Sequence, residues 1–237
     1  MTVTELSLPR RTLAELLGSA LLAAIVIGSG IAAQSLSPSD TGLQLLQNAI
    51  ATGAGLFAII LMFGPASGAH FNPVVTLVDA TLGERPWRDV AAYLPAQVLG
   101  CILGAVLANM MFDLAPISIS SNDRLTGAHF LAETVATVGL VLVIFALTQT
   151  GRSHYAAAAV GAYIAAAYYF TSSTSFANPA ITVGRIFSDS FAGIAPSSVL
   201  GFIAAQLIGG AVGLAIVRVL YSRSRVAAMA EPAVAVD

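Results

Sequence analysis

The sequence predicts an all-α membrane protein with six transmembrane helices and two re-entrant half-helices arranged as an inverted repeat. Three observations lead to this prediction. Hydrophobic residues make up 57% of the 237-residue chain and charged residues only 9%, whereas soluble domains are about a quarter charged. Long apolar segments cover most of the chain, and short motifs of the first half return in the second. No length remains for a separate soluble catalytic domain.

Six apolar segments are long enough to cross the hydrocarbon core of a bilayer, which takes about 20 residues of helix. They are Leu13 to Ala33, Leu43 to Phe63, Val90 to Phe112, Ala128 to Leu147, Tyr155 to Phe170 with its flanks, and Pro196 to Leu220. We interpret residues 1–237 as a single channel-like domain whose repeat halves cover residues 10–112 and 125–222.

The basic residues of the chain are all arginines, and outside the spans they lie mainly on one side. That side carries Arg10, Arg11, Arg85, Arg88, Arg152, Arg223 and Arg225. The other side has Arg124 and Arg185. Because arginine-rich flanks stay in the cytoplasm, we expect both termini to be cytoplasmic.

Three short motifs occur once in each half of the chain. The pairs are Leu13-Ala14-Glu15 with Leu131-Ala132-Glu133, Ala96-Gln97-Val98-Leu99-Gly100 with Ala205-Gln206-Leu207-Ile208-Gly209, and Asn72-Pro73-Val74 with Asn178-Pro179-Ala180. The copies are 118, 109 and 106 residues apart, which indicates two halves of one plan. Each half also contains a G-x-x-x-G pair, which suits close helix approach in lipid. Three spans per half insert the second half in the opposite orientation.

The two Asn-Pro pairs each predict the start of a short helix, because asparagine is a strong N-cap and proline is favoured at the first helical position. The segments that follow, Val74 to Leu82 and Ala180 to Phe187, are too short to span a bilayer. We therefore expect half-helices. Non-helical backbone at membrane depth must be buried in protein or line a watery cavity, and inverted halves bring the two N-termini together near the midplane.

Two helix N-termini that face one point carry partial positive charge. Their field repels cations, including protons that move along a file of water, while the amides of Asn72 and Asn178 offer hydrogen bonds to a passing oxygen atom. The pattern favours a passive pore for uncharged solutes. A single Asn-Pro pair is more typical of an ordinary capped loop helix, but two copies at matched positions of an inverted repeat favour the pore.

A set of motifs carries a family resemblance: Ser67 to Thr76, Asn178-Pro179-Ala180, and the paired Glu15, Glu133, Gln97 and Gln206. With these motifs the chain resembles the aquaporin, or major intrinsic protein, family over nearly its whole length. The resemblance implies a right-handed bundle of six tilted helices with two re-entrant half-helices. It further implies a homotetramer in the bacterial inner membrane, with one pore for small neutral solutes in each subunit.

The resemblance also implies roles for three polar residues. Acids placed like Glu15 and Glu133 accept hydrogen bonds from the re-entrant loop backbones in this family, and His70 is similar to a residue that orders the first loop. A proton relay through the two acids is the rival interpretation. It is less favoured, because no other titratable residue lines up with them inside the spans.

The position after the second Asn-Pro-Ala motif departs from the family pattern. Family members usually have arginine there, where this chain has Ile181. Family spacing places the other filter positions at Thr52, twenty residues before the first asparagine, and at Ala166 and Ser175, twelve and three residues before the second. This set lacks both an arginine and a large ring. It predicts a wide, weakly polar filter that admits neutral solutes larger than water.

Two neighbouring residues leave alternatives open. Arg185 lies four residues beyond Ile181, one helical turn nearer the outside. It either guards the vestibule and attracts anions, or has a structural role in which it pairs with Asp189 or satisfies loop carbonyls; the structural role is favoured. Val74 replaces the usual alanine of the family near the midplane, and the sequence leaves its effect on the central constriction undetermined.

The missing arginine and the stretch from Gly184 to Pro196 are similar to a bacterial branch of the family associated with arsenic detoxification. This resemblance implies passage of arsenous acid or methylated arsenicals as well as water and glycerol-like solutes. A water-selective aquaporin is the first alternative. A secondary transporter is less favoured, because Glu15 and Glu133 are the only acids inside the spans that could couple ions.

An enzyme is not expected, since the sequence shows neither a nucleophile paired with a base nor a cluster of metal ligands. For the same reason we expect no cofactor and no bound metal. Nucleic acid is also not an expected partner; the expected partners are small neutral solutes, membrane lipid and further copies of the chain. A structural junction protein of this fold is a further alternative, in which Phe63, Phe71 or Tyr168 occludes the lumen; the open filter argues against it.

Overall fold

The computed structural model describes residues 6–221, so Arg223 and Arg225, which supported the predicted orientation, lie outside the described residues. Within this range the chain is helical and contains no β-strand. The six long helices are α1 (Leu8–Leu36), α2 (Thr41–Ser67), α4 (Trp87–Met111), α5 (Gly127–Gln149), α6 (Ala156–Phe170) and α8 (Pro196–Tyr221). The two short helices are α3 (Pro73–Thr81) and α7 (Pro179–Gly184).

The helices follow the predicted order. In residues 6–221, five helices are long and apolar enough to cross a membrane. The remaining long helix, α6, has 15 residues, which corresponds to about 22 Å, and the 3-10 turn Ser153–Tyr155 precedes it. Both half-helices begin at the predicted prolines. The second ends earlier than predicted, because its last three predicted residues form the 3-10 turn Arg185–Phe187.

Small residues allow the two halves to pack in the same way. Helix α1 packs most extensively against α4, and α5 packs most extensively against α8. A Cβ atom on Gly100 would lie 2.9 Å from the Cβ of Ser19, and one on Gly209 would lie 2.6 Å from the carbonyl oxygen of Thr134. Both distances are too short for any side chain. The G-x-x-x-G motifs therefore bring helix backbones into close contact, as predicted.

The two short helices occupy the centre of the bundle and contact each other. Helix α1 begins and α8 ends at the same face, here called the terminal face, because six long helices alternate in direction; the other is the distal face. The loop before α3 enters from the terminal face, and the loop before α7 enters from the distal face. The N-termini of α3 and α7 consequently meet in the middle.

The outward surface of the long helices is apolar. Leu131, Leu200 and Val219 are 64%, 79% and 78% exposed, whereas Glu15, Gln97, Glu133 and Gln206 are fully buried. Polar groups inside and apolar groups outside suit a helical bundle that is surrounded by lipid.

Candidate functional site: a pore between two re-entrant loops

Asn72 and Asn178 cap the two half-helices. The Asn72 Oδ1 atom accepts a hydrogen bond from the N–H of Val74 at 3.0 Å. The Asn178 Oδ1 atom accepts from the N–H groups of Ala180 and Ile181 at 2.9 and 3.3 Å. The backbone at both asparagines is extended, as at typical N-caps. These bonds confirm the predicted helix starts.

The amide nitrogens of the same two asparagines join the loops. Asn72 Nδ2 donates to the carbonyl oxygen of Ala177 at 2.8 Å, and Asn178 Nδ2 donates to that of Phe71 at 2.7 Å. Each amide has a second N–H, and both asparagines lie on the wall of the central cavity. The two N-caps therefore face the same space and hold each other in place.

The carboxylate of Glu15 organises the first loop. It accepts hydrogen bonds from the backbone N–H groups of His70 and Phe71 at 3.0 and 2.7 Å. The hydroxyl of Ser67 and the amide of Gln97 donate to it at 2.6 and 2.7 Å. A buried charge is stable only with such partners. The four donors hold the loop in a single conformation.

Glu133 does the same for the second loop. Its carboxylate accepts from the backbone N–H groups of Phe176 and Ala177, both at 2.8 Å. Ser173 Oγ donates at 2.6 Å and Gln206 Nε2 at 2.7 Å. None of the hydrogen bonds to Glu15 or Glu133 comes from another titratable side chain in residues 6–221. This arrangement supports the loop-ordering role over a proton relay.

These carboxylates stabilise an uncommon backbone. Ala69 and Phe71 in the first loop have φ values of 51° and 50°, and Ser175 and Ala177 in the second have 48° and 47°. Left-handed conformations cost energy for residues other than glycine, and they persist where surrounding contacts enforce them. The matching φ angles show that both loops turn through the same left-handed backbone conformation.

A cavity of about 560 Å³ passes along both loops. The polar residues on its wall are Ser153, His154, Thr148, Asp79 and His70 toward the terminal face, Asn72 and Asn178 at the centre, and Ser175, Thr52, Tyr168 and Arg185 toward the distal face. Apolar side chains, such as Leu22, Val26 and Val75, form most of the rest of the wall. A mainly apolar wall with separated polar groups is typical of a site for small solutes.

Three of the four predicted filter residues lie on this wall. Thr52, Ser175 and Ile181 line the cavity, and all three are nearly fully buried. The hydroxyl of Ser175 has no hydrogen-bond partner among the residues described. This hydroxyl oxygen is unpaired but buried, so it is not presented to a solute in the cavity.

Ala166 is not on the wall, and its predicted placement is wrong. The cavity face of α6 carries Val160, Ile164 and Tyr168. Ala166 is two residues from both Ile164 and Tyr168, about 200° around the helix, and it is exposed on the opposite side. The prediction counted back from Asn178 and assumed the family's usual geometry for the loop between α6 and Asn178. That assumption failed here, so a different face of α6 lines the cavity.

Two aromatic rings line the distal part of the cavity, where the sequence predicted no large ring. The Tyr168 hydroxyl lies 3.2 Å from Thr52 Oγ1 and forms a hydrogen bond with it. Phe176, next to Ser175, is also on the wall. The filter region is therefore more aromatic than predicted.

Arg185 lies on the cavity wall and is 2% exposed. Its guanidinium carbon is 3.4 Å from the centroid of the Phe176 ring, and its Nε donates to the carbonyl of Ala192. Asp189 accepts instead from the N–H and hydroxyl of Ser121. The expected alternative of a pair with Asp189 is wrong, whereas the bond to a loop carbonyl is present.

Val74 does not narrow the pore. It is buried but does not line the cavity, and its Cγ1 lies 2.5 Å from where a Cβ on Gly210 would be. The extra methyl groups therefore fill the space that the glycine leaves on α8.

His70 joins the cavity to a charged cluster at the terminal face. Its Nδ1 lies 3.0 Å from Thr76 Oγ1, and its Nε2 lies 3.4 Å from the carboxylate of Asp79. Arg85 Nε donates to Asp79 at 3.1 Å. The sequence analysis missed Asp79, although a single acid within an apolar nine-residue helix was a usable signal.

Residues 2–171 match the family model described as MIP, major intrinsic protein. The chain belongs to the major intrinsic protein family. Members of this family are channels rather than enzymes. The cavity between the two capped half-helices is therefore the candidate functional site of this channel protein.

Curated relatives and a solved structure agree with this assignment. "Aquaglyceroporin AqpS" from Rhizobium meliloti (strain 1021) is 48% identical over 93% of this chain and 94% of the relative. "Probable glycerol uptake facilitator protein" from Thermotoga maritima is 32% identical over 57% of this chain and 63% of the relative. The structure of the aquaglyceroporin from Plasmodium falciparum covers 93% of this chain and all of that chain, with a TM-score of 0.72 and 22% identity. It shows the shared fold.

The repeat in this major intrinsic protein includes a fourth pair of residues in addition to the three pairs of motifs described above. Thr76 and Thr182 each follow an asparagine by four residues. Each threonine hydroxyl donates to the carbonyl of its asparagine, at 3.0 and 2.8 Å. Each also accepts from a glutamine, Gln97 or Gln206, at 2.9 Å. The shared spacing N-P-x-x-T was a signal that could have identified both.

Proposed function

We propose that this protein is a passive channel for water and for uncharged polar solutes up to about the size of glycerol. The observation that carries the proposal is the cavity that passes between Asn72 and Asn178. Its apolar wall removes part of a solute's hydration, and its separated polar groups replace some of the lost hydrogen bonds. The printed names of the two relatives, an aquaglyceroporin and a probable glycerol uptake facilitator, support this choice.

Restriction to neutral solutes follows from the charges at the centre. The N-termini of α3 and α7 both point at the middle of the pore, and each carries partial positive charge. Glu15 and Glu133 bind the two loops, but neither lines the cavity and their oxygen atoms are occupied by loop donors. A cation at this point would meet a repulsive field without a compensating acceptor.

Arsenous acid and methylated arsenicals are the finer part of the proposal. Arsenous acid is uncharged at neutral pH and presents hydroxyl groups much as glycerol does. Ile181 lies on the cavity wall where the family usually has arginine, which leaves an apolar contact surface at that point. The resemblance to the arsenic-associated branch adds support.

We further propose that the protein is a homotetramer in the inner membrane of a bacterial cell, with both termini in the cytoplasm. The described arginines at the terminal face support this orientation: Arg10, Arg11, Arg85, Arg88, Arg152 and Arg218. Only Arg124 and Arg185 lie toward the distal face. The positive-inside rule then makes the terminal face cytoplasmic.

One observation favours a second candidate, a water-selective pore. Tyr168 binds Thr52 across the distal part of the cavity, and an aromatic ring at this level restricts the passage of larger solutes. The two candidates differ in whether glycerol and arsenous acid pass at all.

Stopped-flow light scattering on proteoliposomes separates these functions. The wild type and Ile181→Arg are compared for flux of water, glycerol and arsenous acid. The proposed function predicts that the wild type passes all three, and that the arginine variant retains water flux but loses much of the other two. Passage of water alone supports the second candidate. Saturable uptake that depends on an ion gradient would indicate a secondary transporter and overturn both.

A further inference from the structure

We propose that Arg185 determines the specificity of this pore. Its free guanidinium N–H groups donate hydrogen bonds to the oxygen atoms of neutral, hydroxyl-rich solutes, and its charge excludes protons and other cations. The inference rests on the proposed channel function and assigns its specificity to a residue outside the usual filter position.

The guanidinium of Arg185 has hydrogen-bond donors that no described protein atom accepts from. Its Nε is bound to the Ala192 carbonyl, but neither terminal nitrogen donates to any protein atom within residues 6–221. No carboxylate in the same part of the chain forms a salt bridge with it. Buried arginines are normally paired. A buried arginine with free donors on a cavity wall is arranged to bind something that enters the cavity.

The ring of Phe176 fixes the direction of these donors. The guanidinium carbon lies 3.4 Å from the ring centroid, so the planar group is held against the ring. Its two terminal nitrogens carry four N–H groups. Phe176 and Arg185 both lie on the cavity wall. Together these groups present several hydrogen-bonding positions next to an aromatic face.

This combination fits a small polyol or an undissociated hydroxy acid. The hydroxyl oxygens accept from the arginine, while the carbon side of the solute contacts the rings of Phe176 and Tyr168. A proton or metal cation meets an unneutralised positive charge in a passage of low dielectric constant, where repulsion is strong. Specificity then arises from the number of oxygen acceptors as well as from size.

Arg124 offers a matched control. It lies near the same ring, with its guanidinium carbon 5.6 Å from the Phe176 centroid. It also holds the distal loop, because its Nε and Nη2 donate to the carbonyls of Gly193 and Phe191, both at 2.7 Å. It is absent from the cavity wall. Its removal therefore tests loop anchoring and the loss of a nearby charge, while every side chain on the cavity wall remains.

The experiment compares Arg185→Met, Arg185→Gln and Arg124→Met with the wild type in proteoliposomes. It measures the flux of water, glycerol and propylene glycol, which has one hydroxyl fewer, and the proton leak under a pH gradient. For Arg185→Met we expect the ratio of glycerol to propylene glycol flux to fall about tenfold, as for loss of one hydrogen bond to a charged group. We expect the proton leak to rise at least about tenfold. Arg124→Met should change neither quantity.

The glutamine variant separates the two effects. Arg185→Gln keeps N–H donors without charge, so it should retain part of the glycerol preference while the proton leak rises. The double variant Arg185→Met with Ile181→Arg returns a positive charge to the cavity wall and should restore proton exclusion. A proton leak that comes from misfolding of Arg185→Met would persist in the double variant. If the wild type passes glycerol but Arg185→Met leaves both quantities unchanged, the inference fails and the channel function stands. If the wild type passes no solute, the proposed function itself fails.

Discussion

Asn72 and Asn178 each cap one half-helix and also hold the loop that leads to the other. Their Oδ1 atoms accept from the first turns of α3 and α7, while their Nδ2 atoms donate to the carbonyls of Ala177 and Phe71 at 2.8 and 2.7 Å. The two halves of the repeat are joined at the midplane by reciprocal bonds. A change at one asparagine therefore affects both loops.

Replacement of Asn72 by aspartate should separate capping from cross-linking. Asn72→Asp keeps an oxygen acceptor for the N–H of Val74 but loses the donor to the Ala177 carbonyl. We expect a loss of about 1 to 3 kcal/mol in unfolding free energy and a higher cation leak, because a negative charge now lies at the midplane. Thermal unfolding in detergent and proton flux in liposomes measure the two effects. Asn178→Asp should behave alike; an effect from only one of the two variants would contradict the reciprocal arrangement.

The carboxylates of Glu15 and Glu133 are expected to be essential for stability. The Glu15 carboxylate accepts hydrogen bonds from two backbone N–H groups and two side chains. In Glu15→Gln an NH₂ group replaces one of the accepting oxygen atoms and faces these donors. The loss should be about 3 kcal/mol or more, as for other broken buried charge networks. Folded yield and thermal unfolding midpoint are the readouts. Glu133→Gln is the matched partner, and an unchanged midpoint in either variant would show that the loops do not depend on these bonds.

Substitutions at Val74 and Gly210 should compensate for each other in their effects on stability. Gly210→Ala places a Cβ 2.5 Å from Val74 Cγ1, which should cost about 1 to 3 kcal/mol through overpacking. Val74→Ala should cost about 1.6 kcal/mol for the two methyl groups it removes. The double variant should recover much of the loss from Gly210→Ala, which a double-mutant cycle of unfolding free energies measures. A change in glycerol flux for Val74→Ala would contradict its position off the cavity wall.

Tyr168 should restrict solute size in the distal part of the pore. Tyr168→Ala removes a ring that lies on the wall and binds Thr52, so glycerol flux should rise severalfold more than water flux. Tyr168→Phe keeps the ring and should change flux little. Tyr169→Ala is the control, because Tyr169 is exposed on the outside of α6. Equal effects of Tyr168→Ala and Tyr169→Ala on proteoliposome flux would rule out a local role in the pore.

Much of the fold could be predicted because the bilayer imposes simple rules on the chain. Span length and the internal repeat identified six long helices in their correct order. Pro73 and Pro179, each after an asparagine, marked the half-helix starts to the residue. These signals can be recognised in the sequence without knowing which helices are neighbours in the folded protein.

The wall of the pore was harder to predict. Thr52, Ser175 and Ile181 lie on the cavity wall, but Ala166 does not, because a loop of different geometry shifts the phase of a helix relative to a motif beyond it. Tyr168 became the wall residue as a result. Asp79 contacts His70 and Arg85. Phe176 contacts Arg185, Arg124 and Phe202. These contacts give no periodic pattern in the sequence, because they form only when the loops fold onto the helices.

The sequence by itself determined the class of protein, the number and order of the helices, the inverted repeat and the asparagine caps, because hydrophobic length, motif spacing and capping are all contained in the order of residues along the chain. Only the tertiary structure decided that Val74 packs against Gly210, that Tyr168 binds Thr52, and that Arg185 stacks on Phe176 with free donors. These outcomes depend on which faces of separate helices meet. That is a property of side-chain packing in three dimensions, and a linear pattern does not contain it.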